Sequence, residues 1–240
     1  MIGDVGDPRN GRAIEYTDLR KVVSFRDVET MCCDAIAYGL GTVVVPTALI
    51  RRAAACVEGD GPAIGTVISY PFGTQSARVK AREAAIAVED GAHDLDVVPH
   101  FGAILAERWG DVEAELQEIR AAAESATLKL VLEVGRLSSP QIREACAIAA
   151  QQGFEYVVNT VGFRIVSTDP DAEGAASVDT LELLRKLGGD RLRLKAAGGV
   201  TTARAVNELL AAGAERVAVP VSAGLPRSMG WTPNGRGGGS

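Results

Sequence analysis

Short runs rich in β-branched residues alternate with longer runs rich in Ala and Leu along most of this chain. The short runs cover residues 21–25, 42–46, 64–70, 94–98, 128–133, 155–159, 191–195 and 216–220, and each predicts a strand. The longer runs carry helical spacing. Val112, Leu116, Ile119 and Ala123 recur at +4, +3 and +4, which places one apolar face on one helix. Ile142, Cys146 and Ala149 repeat the pattern, as do Val178, Leu181, Leu184 and Leu187, where Gly188-Gly189 supplies a stop. Val206, Leu209 and Leu210 line another helix, closed by Gly213. Further helices are predicted near residues 26–38, 47–57 and 75–89.

Eight β/α alternations in a chain of this length predict an α/β fold, specifically a (β/α)8 TIM barrel. A doubly wound sheet is the competing arrangement, but no GxGxxG loop follows the first predicted strand. No composition shift marks an internal domain boundary. Residues 1–20 are expected to form an N-terminal arm, 21–223 the barrel, and 224–240 a flexible tail with Pro226, Pro233 and a closing Gly-Gly-Gly-Ser.

The 240 residues carry 25 Lys plus Arg against 31 Asp plus Glu, a net charge of −6, and 47% are hydrophobic. That balance excludes disorder, and a mildly acidic chain without basic runs does not suit nucleic-acid or anionic-membrane binding. No apolar run approaches the roughly 18 residues of a membrane span. Cys32, Cys33, Cys56 and Cys146 have no metal-ligand spacing, which suits a reduced, cytoplasmic protein.

Charge inside an apolar strand changes the picture further. Side chains alternate inward and outward along barrel strands, and chemistry gathers at their C-terminal ends. Asp94 and Asp96 share one parity, Lys129 and Glu133 another, and Arg191, Arg193 and Lys195 a third. Facing inward, they place Asp96, Glu133 and Lys195 near the barrel mouth. A strand-end lysine can attack a carbonyl, and a nearby aspartate can move protons. The Gly198-Gly199 pair after Lys195 permits close backbone approach to an anion.

These residues resemble the deoxyribose-phosphate aldolase family of class I aldolases. Thr66 through Gly73 resembles the family's TVIGFPxG segment, Gly91 through Val98 its GAxEIDMV strand, and Leu128 through Glu133 its LKVILET strand. Lys195-Ala196-Ala197-Gly198-Gly199-Val200-Thr201-Thr202 resembles KxxGGIRT, and Ala212 through Val217 resembles AGATRIG. The resemblance implies a barrel, a Schiff-base lysine opening KTSTG on strand six, a second lysine at Lys195 and a proton-relay aspartate at Asp96. Strand six departs from it, because Val158-Asn159-Thr160-Val161-Gly162 places valine at the nucleophile's position. The family's GTSSG is replaced by Ala218-Val219-Pro220-Val221-Ser222, which removes hydroxyls and one backbone donor. His100, preceded by Pro99, stands where the family has an asparagine.

Three functions follow as expectations. In the first, the chain is a diverged aldolase or lyase in which Lys195 forms the Schiff base and Asp96 shuttles protons. Lys129, Glu133, His100 and Asn159 complete the candidate catalytic set, and Gly162, Gly198, Gly199 and Ser222 bind substrate. In the second, the same pocket works by acid/base chemistry without an imine, as a lyase, isomerase or cyclase. In the third, the barrel only binds a ligand. The expected partner is a small, non-phosphorylated carbonyl compound; no cofactor or metal is called for, and the outer helices suit a homodimer.

Overall fold

The structure is a computed structural model that describes residues 11–57, 59, 61–162 and 175–223. The tail at 224–240 and residues 1–10, the first half of the expected arm, lie outside the described residues. Eight parallel strands close on themselves in chain order: β1 (Ile14–Thr17), β2 (Thr42–Val44), β3 (Ala63–Ile68), β4 (Asp94–Val97), β5 (Thr127–Val131), β6 (Tyr156–Val158), β7 (Arg193–Ala196) and β8 (Arg216–Pro220). Pairing of β1 with β8 through Ile14–Val217 and Thr17–Pro220 completes the (β/α)8 barrel. The helices are α1 (Phe25–Tyr38), α2 (Ile50–Cys56), α3 (Ala77–Glu89), α4 (Phe101–Leu105), α5 (Trp109–Ala122), α6 (Ser139–Gln151), α7 (Val178–Gly188) and α8 (Ala203–Ala211). No helix among the described residues is long and apolar enough to cross a membrane.

The first strand is not where the sequence placed it. Residues 21–25 are no strand: Ser24 caps α1, its hydroxyl accepting from the Asp27 N–H while the Asp27 carboxylate accepts from the Ser24 N–H. Val22, a β-branched residue that suggested a strand, is 83% exposed. The strand lies at Ile14–Thr17, inside the expected arm. A central glutamate broke its apolar run, so only its alternation marked it. Residues 191–195 also divide. Gly189–Arg191 is a single 3₁₀ turn, and β7 starts at Arg193.

Register separates two apolar regions. Outward residues such as Ile14, Tyr16, Val43, Ile64, Leu95, Leu130, Val157, Leu194 and Val217 pack with the helices into the main core. Val98, Val131, Val158 and Ala197 face the interior and form a separate cluster at the C-terminal ends of β4 to β7. Below that cluster the interior is charged. The barrel wall therefore has hydrocarbon outside and ions within.

Long side chains from α3 and α5 fix the loops above β3 and β4. The buried Lys80 ammonium donates to the Val98 carbonyl at 2.9 Å and to Glu115 at 3.0 Å. Glu115 in turn accepts from the His100 N–H at 3.1 Å. Glu83 accepts from the Ser69 N–H at 2.8 Å, at a residue held with φ of 60°.

Because Leu130 belongs wholly to the outer core, Leu130→Ala should cost about 2–5 kcal/mol of stability through a cavity that neighbours refill only partly. Denaturant unfolding monitored by circular dichroism checks this, and a loss below about 1 kcal/mol would contradict the packing described.

Candidate active site

The interior charges meet around one glutamate. Glu15, fully buried on β1, pairs with Lys129 through one carboxylate oxygen and with Lys195 through the other. Lys195 also donates to Asp96. Lys129 reaches Asp94 at 3.2 Å and Asp96 at 3.8 Å, and Thr42 donates to Asp94 at 3.1 Å. Arg216 approaches Glu15 from the barrel floor at 3.9 Å. Two ammonium groups are thus interleaved with three carboxylates in a space without room for bulk water. An isolated charge there would be prohibitively costly, so each group depends on its neighbours.

The two carboxylates that share Lys195 behave oppositely. Burial would raise the Glu15 carboxyl, but Lys129 and Lys195 outweigh it and bring the value down from 4.5 to about 2. For Asp96 burial dominates and raises the value, against the pull of Lys195 and Lys129. Glu15 is therefore the carboxylate held as an anion, while burial favours the protonated form of Asp96. Burial would lower Lys129, yet Glu15, Asp96 and Asp94 together raise it, so it stays an ammonium.

Asp96 and Lys195 form the floor of a cavity of about 350 Å³ at the C-terminal end of the barrel. Its walls include Val67, Tyr70, Val98, Val131, Ala197, Ala218 and Pro220, and its rim Arg20, Lys21, Gly162, Gly198, Gly199 and Ser222. The two rim loops touch at glycine. A Cβ on Gly198, at φ of 90°, would lie 2.8 Å from the Thr160 methyl. The β1–α1 loop reaches the cavity because Asp18 anchors it. The Asp18 N–H donates to the Val44 carbonyl at 3.0 Å, and its carboxylate holds the Arg20 guanidinium at 2.8 and 2.6 Å.

Of the residues singled out from sequence, Lys195, Asp96 and Lys129 come together, and the four rim residues Gly162, Gly198, Gly199 and Ser222 line the same cavity. Glu133 does not join the cluster. It lies beyond the end of β5, where the chain turns, and accepts from Thr160 Oγ1 at 3.0 Å and the Val161 N–H at 2.7 Å. Burial raises its carboxyl value despite those donors. His100 is exposed and caps α4, its Nδ1 accepting from the Ala103 N–H at 3.1 Å, which is a structural duty outside the cavity. Asn159 also leaves the candidate set. Its buried amide donates to the Ala197 carbonyl at 2.9 Å and accepts from the Ala197 N–H at 2.8 Å, joining β6 to β7. Arg193 sits at the opposite end of the barrel, stacked on the Tyr156 ring at 4.3 Å, and Arg191 is exposed in the preceding turn.

Glu15 is the residue that sequence reading missed. The alternation Ile14-Glu15-Tyr16-Thr17, apolar outward and polar inward, matches Asp94-Leu95-Asp96-Val97 on β4 and could have revealed it. Tyr70 was also overlooked. Its phenol, raised to about 12 by burial and then by Glu133, belongs to a ring packed on the inner apolar cluster.

Comparison with known proteins agrees with this geometry. The family model described as DeoC/LacD family aldolase matches residues 10–227. The deoxyribose-phosphate aldolase of Deinococcus radiodurans is 34% identical over 212 residues, covering 88% of this chain and 93% of that protein. Deoxyribose-phosphate aldolase 1 of Cutibacterium acnes is 32% identical, covering 88% and 94% respectively. Among solved structures, "QR15, an Aldolase" superposes with a TM-score of 0.80 at 25% identity, covering 89% of this chain and 91% of that one.

Glu15→Gln should destabilise the fold by about 3–5 kcal/mol at neutral pH, because two buried ammonium groups lose their shared anion. The depressed folded-state value means that the contribution of Glu15 is present above its unfolded value of 4.5 and is lost as pH falls toward about 2. The melting-temperature gap between wild type and Glu15→Gln should therefore narrow across that window. A gap that is constant with pH would refute the ionic role of Glu15.

Proposed function

The chain belongs to the DeoC/LacD aldolase family, and from that membership we propose that it makes or breaks a carbon–carbon bond in a small carbonyl compound, with Lys195 as the amine and Asp96 as the proton carrier. The observation that carries this reading is the direct contact of Lys195 with Asp96 on the cavity floor, where burial makes Asp96 the better proton acceptor of the two carboxylates.

In this mechanism Asp96 takes a proton from the Lys195 ammonium. The freed amine attacks the carbonyl carbon, and the C=O π pair moves onto oxygen. That oxygen takes one proton from the attacking nitrogen and one back from Asp96 and leaves as water, so an iminium links Lys195 to the substrate. In cleavage Asp96 then removes the proton of the β-hydroxyl, the Cα–Cβ electron pair moves into the iminium to give an enamine, and Asp96 returns that proton to the enamine carbon; bond formation runs the same steps in reverse. Lys129 and Glu15 stay charged throughout and hold the floor in register.

Lys195 is assigned the amine because Val158, at the position of the nucleophile in the resembled motif, has no amine to offer. Val158 and Lys195 are register partners on β6 and β7, so both project into the same part of the barrel. A substrate without a phosphate suits the rim. Pro220 contributes no N–H there, and apolar Ala218 and Val221 also line the cavity.

A second reading rests on the other bond made by Lys195. Glu15 holds the same ammonium and remains anionic down to about pH 2. An ammonium gripped from two sides suits acid catalysis or oxyanion stabilisation without an imine.

Borohydride treatment with small aldehydes separates the two. The imine reading expects a reduced adduct on Lys195 by peptide mass spectrometry, inactivation, and a fall in turnover of about 10²–10⁴-fold in Asp96→Asn. Turnover that survives borohydride but not Asp96→Asn transfers the function to acid/base chemistry. Turnover indifferent to both would discard the site altogether.

A further inference from the structure

Between its ionic floor and its polar rim the cavity is walled mainly by hydrocarbon, with Tyr70, Thr17 and Thr160 as the hydroxyl-bearing side chains. Val67, Val98, Val131, Ala197, Ala218 and Pro220 line it, and buried Val158 packs behind with Val98, Val131 and Ala197. Two of the hydroxyls at this level are turned into the protein. Thr17 Oγ1 donates to the Glu15 carbonyl at 3.1 Å, and Thr160 Oγ1 donates to Glu133 at 3.0 Å.

A polyhydroxylated ligand would have to strip water from each hydroxyl here and leave it against methyl groups. Each such loss weakens binding by about tenfold. An alkyl chain placed there gains from the same surface. The volume of about 350 Å³ accommodates a short chain above the Lys195 and Asp96 floor.

We infer that the substrate of this cavity is a short alkyl aldehyde or ketone, and that the apolar collar selects it over a sugar-like carbonyl compound of the same carbon skeleton. The inference rests on the proposal that this cavity is the substrate site, and adds the chemical class. The carbonyl oxygen points to the floor, where Lys195 and Asp96 offer protons, and the alkyl group fills the collar. The collar thus discriminates by leaving hydroxyls unsatisfied, each hydroxyl counting about as much as a difference of one methylene, so that several together are needed for a clear preference.

Butanone and erythrulose share a four-carbon ketone skeleton and differ by three hydroxyls, so they are the probes. Ligand-observed NMR titration of the full chain should give butanone an affinity at least about tenfold above that of erythrulose. Val131→Thr and Ala218→Ser each add a hydroxyl to the collar and should narrow that ratio severalfold. Ala218 is only half-buried, which makes its substitution readable even if Val131→Thr fails to fold. Equal or tighter binding of erythrulose to the wild type, or binding of neither ketone, overturns the inference. Borohydride trapping is read separately in the same samples. Butanone preference without a Lys195 adduct refutes the imine while the alkyl selectivity stands, and an adduct without preference does the reverse.

Discussion

Everything near the mouth of this barrel depends on one electrostatic constraint: two lysines inside a closed sheet must each meet a carboxylate. Glu15 satisfies both at once, one oxygen to Lys129 and the other to Lys195. It ties β1 to β5, directly across the barrel, and to β7, two strands away around the closed sheet. With Asp94 and Asp96 completing the balance, the middle of the barrel is an ionic layer in place of the branched aliphatic layers usual there. Such a layer is a poor source of stability compared with hydrocarbon, because desolvation offsets most of the Coulomb energy. Its presence is better understood as the support of a chemical group. Lys195 and Asp96 border the cavity, while Glu15 and Lys129 lie beneath and hold them in place.

The same constraint divides labour between two carboxylates on one lysine. Glu15 is surrounded by ammonium groups and cannot readily take a proton, whereas Asp96 loses solvent without equal compensation and can. Lys195 is thus held between two carboxylates whose proton affinities shift in opposite directions. The surrounding loops are fixed by comparable means. Lys80 and Glu115 hold the segment after β4, Glu83 holds the turn after β3, and Asn159 joins β6 to β7. Lys80, Glu115 and Asn159 are buried and Glu83 partly so, and each spends its polar atoms on holding backbone of the mouth in place.

Much of this was legible in the chain. Seven of the strands were located from β-branched runs and four helices from their apolar spacing, because both signals are local and repeat at fixed periods, whereas the five-residue α4 is too short to show one and was not foreseen. Strand parity by itself places Asp96, Lys129 and Lys195 on inward faces. It failed for Glu133, since β5 ends at Val131 and alternation has no meaning past the last paired residue. His100 and Asn159 were suggested by the family motifs instead of by parity. The structure pairs each with backbone, and only the tertiary structure shows where a side chain finds its partner. The first strand was misplaced because Glu15 interrupts its apolar run, so the residue that organises the interior is also the one that hid its strand.

By itself, then, the sequence determined the alternation, the barrel, the family resemblance and the absence of a lysine at position 158, all of which follow from residue type and order. Tertiary structure decided which charges share a space. Glu15 and Lys195 lie 180 residues apart, and their contact exists because the barrel closes β8 onto β1. The opposite proton affinities of Glu15 and Asp96, and the hydrocarbon collar above them, come from burial and proximity. No count or spacing of residues expresses those quantities, since they depend on what water can no longer reach.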